Sequence, residues 1–279
     1  MDATAAWYAV RGGDGQTGWL LRDFVALTAS PDNLPRAAAV PAPAPQPQPL
    51  PPSITMTASA RARYRAAIAA GRDGRMFTVA GACNSEGYAF VLRVATDLYD
   101  IAPLSSMHAA AAAFAPSFSR ASMAAHGGYT AAALFDPAWV MPGLCPPSEG
   151  PLACEFRLTR ASVLFIELGT GDQFEWREYE GRLNAILDAA LAVPVLPVLV
   201  TKADALDMQQ GGAPPDYINT VIRRVAAARD LPLIDFHAAT RGLPNFGLLD
   251  EGNFDFHLSP EGSDLHLLLT LQFLNALLT

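Results

Sequence analysis

FTVAGACNSEG, residues 77–87, passes from four residues of buried-strand character into a cluster of small, turn-forming ones. Phe77, Thr78, Val79 and Ala80 read as a strand. Gly81 ends it, and Asn84, Ser85 and Gly87 read as a tight turn that leads into a helix. In open α/β proteins a turn at the carboxyl end of a strand faces the ligand.

Downstream, apolar runs alternate with helical patterns. Further strands are expected near 121–125, at 162–168 (SVLFIEL), at 195–200 (VLPVLV) and at 231–236 (LPLIDF). Helices are expected at about 88–98, 105–115, 174–192 and 215–229, with a closing helix over 260–278. Trp176, Tyr179, Leu183, Ile186, Leu187 and Ala190 recur at three- and four-residue steps and give one apolar face. Ser259 is placed to cap the last helix, with Pro260 at its first position. Near-continuous apolar strands separated by amphipathic helices imply a parallel sheet covered on both sides, a three-layer α/β/α sandwich with a flavodoxin-like sheet.

Upstream, Ser59 to Gly71 reads as a helix with a glycine stop. Residues 35–58 hold the run PAPAPQPQPLPP, whose prolines favour extended polyproline II, and read as a linker. Residues 1–34 hold a short β fragment: residues 7–25 alternate like two strands around Gly13-Asp14-Gly15. The domain reading is thus a β fragment at 1–34, a linker at 35–58 and an α/β domain at 59–279.

With 279 residues and 51% hydrophobic content the chain can bury a large core. Its net charge of −8, with no basic run, argues against nucleic acid as a partner. No stretch of about 18 uncharged apolar residues suggests a membrane span. Of three cysteines, Cys145 and Cys154 bracket a loop-like segment; a disulfide there and two reduced thiols are equally compatible with the sequence.

The residues after each expected strand share one edge of such a sheet. They are Gly81-Ala82-Cys83-Asn84-Ser85, His126-Gly127-Gly128, Gly169-Thr170-Gly171-Asp172, Thr201-Lys202-Ala203-Asp204 and Asp235-Phe236-His237, followed by His257-Leu258-Ser259-Pro260-Glu261-Gly262. In this order the blocks over residues 60–279 resemble the SGNH or GDSL hydrolase superfamily. That family has Gly-Asp-Ser after the first strand, a glycine after the second, Gly-x-Asn-Asp after the third and Asp-x-x-His near the C-terminus. The matches are Gly81, Gly127 or Gly128, Gly169 with Asp172, and His257. The resemblance implies an ester hydrolase acting on acylated carbohydrate or lipid esters, without a cofactor. Residues 7–25 resemble the end of a bacterial SH3 domain, through Trp7-Tyr8, Asp14-Gly15, Gly18-Trp19-Leu20 and Val25. With that module the expected setting is extracellular or cell-surface, the expected partner a wall polysaccharide, and the chain a piece of a longer protein whose signal peptide lies upstream.

The departures from the family pattern fall on its chemistry. The nucleophilic serine position holds Cys83, preceded by Ala82 in place of aspartate; the oxyanion asparagine position holds Gly171; and Phe254 stands where an aspartate would orient the histidine. Acyl transfer needs a nucleophile, a base, a group that holds the base, and donors for the oxyanion. Cys83 offers a thiol nucleophile, or is a buried apolar residue. Ser85 offers a hydroxyl if the turn is shifted, or caps the following helix. His257 is the candidate base; Asp250 is a loop carboxylate placed to swing onto it, whereas Asp255 would point to the other side of an extended segment. Backbone amides at Gly127 or Gly128, or the side chain of His126, are candidate oxyanion donors beside Gly171, while Asp172 accepts backbone bonds in its loop. His126, His237 and His257 fall at spacings that match no metal motif, so no metal site is expected. Two functions are expected from this set: ester hydrolysis through Cys83 or Ser85 with His257, or a catalytically depleted relative that binds a glycan or a protein. A nucleotide-binding domain is discounted because the glycine motifs it needs are missing.

Overall fold

The computed structural model describes residues 7–11, 17–21, 47–87, 89–95, 99–101, 104–140, 143–203, 212–252 and 255–279. The chain divides into two units, Met1–Pro43 and Ala44–Thr279. In the first, β1 (Trp7–Arg11) and β2 (Thr17–Leu21) form an antiparallel pair with Trp7 opposite Leu21. The Gly-Asp-Gly turn, Val25 and the proline-rich run up to residue 46 lie outside the described residues.

The second unit carries the sheet. β3 (Ile54–Thr55) is followed by α1 (Ala60–Ala69) and then by β4 (Asp73–Gly81). Three short helices come next: α2 (Leu92–Ala95), α3 (His108–Ala113) and α4 (Ala115–Phe118). α5 (Pro151–Thr159), β5 (Ala161–Glu167), α6 (Trp176–Ala192) and β6 (Leu196–Val200) follow. α7 (Tyr217–Ala228), β7 (Leu233–Ile234), α8 (Phe236–Thr240) and α9 (Pro260–Leu278) complete the unit.

The strand order is β3-β7-β6-β5-β4, with β4 to β7 parallel and β3 antiparallel on the outer edge. Side chains alternate across each strand, and the core accordingly splits in two. Phe77, Val79, Val163, Phe165 and Val198 pack against residues of α1, α3 and α9 on one face. Leu164, Ile166 and Leu199 pack against α5, α6 and α7 on the other. The five-stranded, mostly parallel sheet with helices on both faces is the α/β/α sandwich expected from the sequence.

Three expectations change. The strand near 121–125 is reduced to one parallel bridge between Gly81 and Ala125. Side chains hold that segment instead of a ladder. The fully buried Glu155 of α5 accepts from Met123 N at 2.8 Å, from both Arg120 terminal nitrogens at 2.6 and 3.0 Å, and from the Thr78 hydroxyl. The Ser122 hydroxyl donates to the Val79 carbonyl at 2.6 Å. Second, Ile54 and Thr55, read as linker, form the edge strand. Third, the helix expected at 88–98 is confined to α2 among the described residues, and α5 had not been expected.

The fit of α6 and α9 follows from sequence. α6 buries Tyr179, Leu183, Ile186, Leu187 and Ala190, the predicted face. The Ser259 hydroxyl accepts from Gly262 N at 3.1 Å, with Pro260 at the first helical position. Cys145 and Cys154 form a disulfide, which ties the segment before α5 to α5 itself.

Candidate active site

β4 ends at Gly81, and the next residues form a tight 3-10 turn, Cys83–Ser85. Gly81 is required there: a Cβ on it would lie 2.3 Å from the Ser85 Oγ and 2.4 Å from the Ser85 Cβ. Ser85 therefore folds back under the turn and is 3% exposed. Its hydroxyl donates to Glu167 Oε2 at 2.5 Å, at the end of β5, and Glu167 Oε1 accepts from His266 Nε2 of α9 at 2.9 Å. The His266 ring is stacked on Phe90 at 4.2 Å and lies 4.9 Å from the Phe236 ring. Ser85, Glu167 and His266 thus form a buried chain beneath the crevice floor, with the Ser85 hydroxyl turned into it.

Asn84 faces the other way. Its Nδ2 donates to the Phe256 carbonyl at 2.7 Å, and its Oδ1 accepts from Leu258 N at 3.1 Å. The residue after Cys83 is thereby bonded to the residues on either side of His257. Cys83 is half-buried and outside the disulfide. The structure brings the Cys83 turn and the His257 segment together through this amide.

His257 has an acidic partner that the sequence pattern did not locate. Its Nδ1 lies 2.9 and 3.1 Å from the two Glu251 carboxylate oxygens. A carboxylate accepts, so Nδ1 carries the hydrogen and Nε2 keeps its lone pair. Among the described residues no hydrogen bond involves Nε2. The two nearby aspartates serve elsewhere: Asp255 accepts from Glu251 N at 2.8 Å and from Asn245 Nδ2 at 2.9 Å, and Asp250 accepts weakly from Gly252 N at 3.4 Å. Asp255 thus fixes the backbone that presents Glu251. Asn253 and Phe254 lie outside the described residues.

The His257 segment is anchored below by a backbone contact. Leu248 bridges Leu258, Leu249 N donates to the His257 carbonyl at 2.9 Å, and Ser259 N donates to the Gly247 carbonyl at 2.9 Å. Gly262 sits so close that a Cβ on it would fall 2.0 Å from the Gly247 oxygen.

The candidate oxyanion donors sit across the turn. Gly127 N donates to Glu86 Oε1 at 2.5 Å, and His126 Nδ1 lies 3.7 Å from the same oxygen. The Gly127 amide therefore already holds a carboxylate. Gly128 adopts φ +84° with open space around its Cα. Gly171 has no side chain to donate, and a Cβ there would meet Thr130 Cγ2 at 3.1 Å. Asp172 is buried and accepts from Ala131 N at 2.9 Å, while its Oδ2 has no hydrogen-bond partner among the described residues.

Burial pushes the Asp172 carboxyl up from 3.8 to about 6, against the opposing effects of the Ala131 hydrogen bond and Arg182. The folded chain thus binds a proton there that the unfolded chain has released, between pH 3.8 and about 6. The stability contributed by that proton is complete below pH 3.8 and is lost as pH rises through 6. Relative to Asp172→Asn, the wild type is expected to lose on the order of 2 to 3 kcal/mol between pH 4 and pH 8. Denaturation midpoints of both proteins at the two pH values check this; parallel pH dependences would contradict it.

Among the described residues, the group of metal-type ligand atoms that converges is Cys145, Glu149 and Cys154, and its two thiols are joined in the disulfide. His237 is instead bound into an ion-pair cluster, 3.2 Å from Arg223 and 3.5 Å from Asp216.

No family model and no curated protein sequence matches the chain. Solved structures do. One is of a protein assigned to the G-D-S-L lipolytic family from Desulfitobacterium hafniense DCB-2, with TM-score 0.44 and 13% identity over 71% of this chain and 98% of that one. A second is of a protein assigned as an acylhydrolase from Bacteroides fragilis NCTC 9343, with TM-score 0.49 and 15% identity over 77% and 95%. A third is the esterase EstA from Pseudoalteromonas sp., with TM-score 0.43 and 13% identity over 70% and 94%. At 13–15% identity and TM-scores below 0.5 the likeness carries no conclusion about the chemistry of this chain.

Proposed function

We propose that residues 44–279 form an ester hydrolase that works through a thiol, with Cys83 as nucleophile, His257 as base and Glu251 as the group that orients it. The observation that carries this reading is the His257–Glu251 pair, held beside the Cys83 turn by Asn84. It supplies the base and its orienting acid despite the loss of the aspartate at position 254. In this scheme His257 Nε2 takes the proton from the Cys83 thiol, and the thiolate adds to the ester carbonyl carbon. The carbon–oxygen bond then breaks and the alcohol leaves with the proton from Nε2. A water, deprotonated by Nε2, hydrolyses the thioester, releasing the acid and restoring the thiol.

The expected substrates are esters of apolar acids or acylated sugars, and the expected setting is outside the cell. The Cys145–Cys154 disulfide supports the second point, because such bonds persist in oxidising compartments. Purified protein is expected to hydrolyse short-chain aryl esters, and Cys83→Ala is expected to lose about 10³-fold or more in kcat/KM. Full turnover in Cys83→Ala would remove the thiol from the mechanism.

A second reading is favoured by one observation: the Gly127 amide is occupied by Glu86. A domain whose oxyanion donor is filled by its own carboxylate fits a binding module of the same fold that takes a glycan or protein. No hydrolysis of any ester by the wild type would favour it.

A further inference from the structure

A pocket of about 520 Å³ opens beside the turn after β4. Leu92, Met123, Ala125, Tyr129, Trp139 and Val140 supply apolar side chains to its wall. The two hydroxyls along that wall are already committed. The Ser122 hydroxyl donates to the Val79 carbonyl, and the Tyr129 hydroxyl donates to the Trp139 carbonyl at 2.7 Å. Glu86 and His126 bring charge and polarity to the wall, and from it the Glu86 carboxylate reaches Gly127 N. An apolar cavity with a few convergent polar groups is the usual form of a small-molecule site.

The polar side of the wall already shows which chemistry it accepts. A backbone N–H donating to a carboxylate at 2.5 Å is a seat for an anionic oxygen; the neighbouring His126 Nδ1 donates to the Gly127 carbonyl at 2.9 Å and lies 3.7 Å from that oxygen. Its present occupant belongs to the chain, and the Glu86 side chain is 41% exposed, so it can swing out into water. We propose that the pocket binds an apolar monocarboxylate whose carboxylate replaces Glu86 on the Gly127 N–H, and that seated Glu86 holds the affinity down. The apolar body of the ligand would lie against Trp139 and Met123.

This site stands on the pocket and on Glu86, and does not require Cys83 to react. The free acid and the acyl part of an ester share the same apolar chain and differ in the charge of the head, and the two are separated by experiment. Octanoate is titrated into the 15N-labelled wild type, Glu86→Gln and Glu86→Ala, following the Gly127 amide resonance, with octanol as the uncharged control. Octanoate is expected to bind Glu86→Ala at least tenfold more tightly than wild type, to shift the Gly127 amide on saturation, and to bind more tightly than octanol. Glu86→Gln keeps the side-chain shape and is expected to fall between the two. Equal octanoate affinity in all three proteins, binding that leaves the Gly127 resonance in place, or octanol binding as well as octanoate would each overturn the proposal. Octanoyl ester turnover is assayed on the same samples: turnover absent while octanoate affinity rises would count against the hydrolase and leave this site standing.

Discussion

His257→Ala is expected to lower kcat/KM for aryl esters by about 10³- to 10⁴-fold, and Glu251→Gln by about 10²-fold. The two substitutions remove different things. Alanine at 257 removes the base that the proposed mechanism assigns to the Cys83 thiol. Glutamine at 251 keeps a side chain of the same length near Nδ1, at 2.9 Å in the wild type, but removes the charge that stabilises the imidazolium. It can also present its NH₂ group to Nδ1, which would turn the ring to the wrong tautomer. Because the pair acts as a unit, the double variant is expected to be no worse than His257→Ala alone. Both side chains are about half exposed, so neither change should shift the denaturation midpoint appreciably. Steady-state kinetics of the three variants check the order; a Glu251→Gln enzyme with wild-type kcat/KM would remove Glu251 from the site.

The largest effect on stability is expected from Glu155→Ala. Glu155 is fully buried and holds Arg120, Met123 N and Thr78 at once. Its removal leaves a guanidinium that is only 28% exposed without a counter-charge, and a backbone N–H without an acceptor. Breaking a buried pair from one side costs about 3 to 5 kcal/mol. The segment released is 121–125, which reaches the sheet through a single bridge and carries Gly127 two residues further on. Loss of stability is therefore expected to come with loss of the Gly127–Glu86 contact. Urea denaturation measures the first; a fall of less than 1 kcal/mol would show that the ladder position is held by something else.

Much of the fold was legible because it rests on local patterns. The strand cores, the apolar face of α6 and the Ser259-Pro260 start of α9 each follow from spacing within a few residues. The second strand was misread for the converse reason. Its residues have the right character, but the segment is held by Glu155, some thirty residues later, and by Thr78, more than forty earlier. Such contacts leave no period in the sequence.

The site divides in the same way. Gly81 and His257 stand where an ordered motif can be read. Glu251 does not, because it reaches His257 by a turn of chain that Asp255 fixes, at a spacing of six residues instead of three. Ser85 read first as a helix cap and only second as a nucleophile; its bond to Glu167 joins the ends of two strands and could be seen only once β4 and β5 were in register. Glu86 was overlooked because nothing in NSEG distinguishes a carboxylate that turns onto the next loop from one that faces water.

The central claim, that Cys83 is the atom acylated, is tested most directly by trapping the intermediate. Wild-type protein mixed with an excess of p-nitrophenyl octanoate, quenched in acid and digested, is analysed by peptide mass spectrometry. The account predicts an octanoyl group as a thioester on the peptide carrying Cys83, present in the wild type and absent from His257→Ala. An octanoyl group on Ser85, or turnover with Cys83 unmodified at every time point, would contradict it.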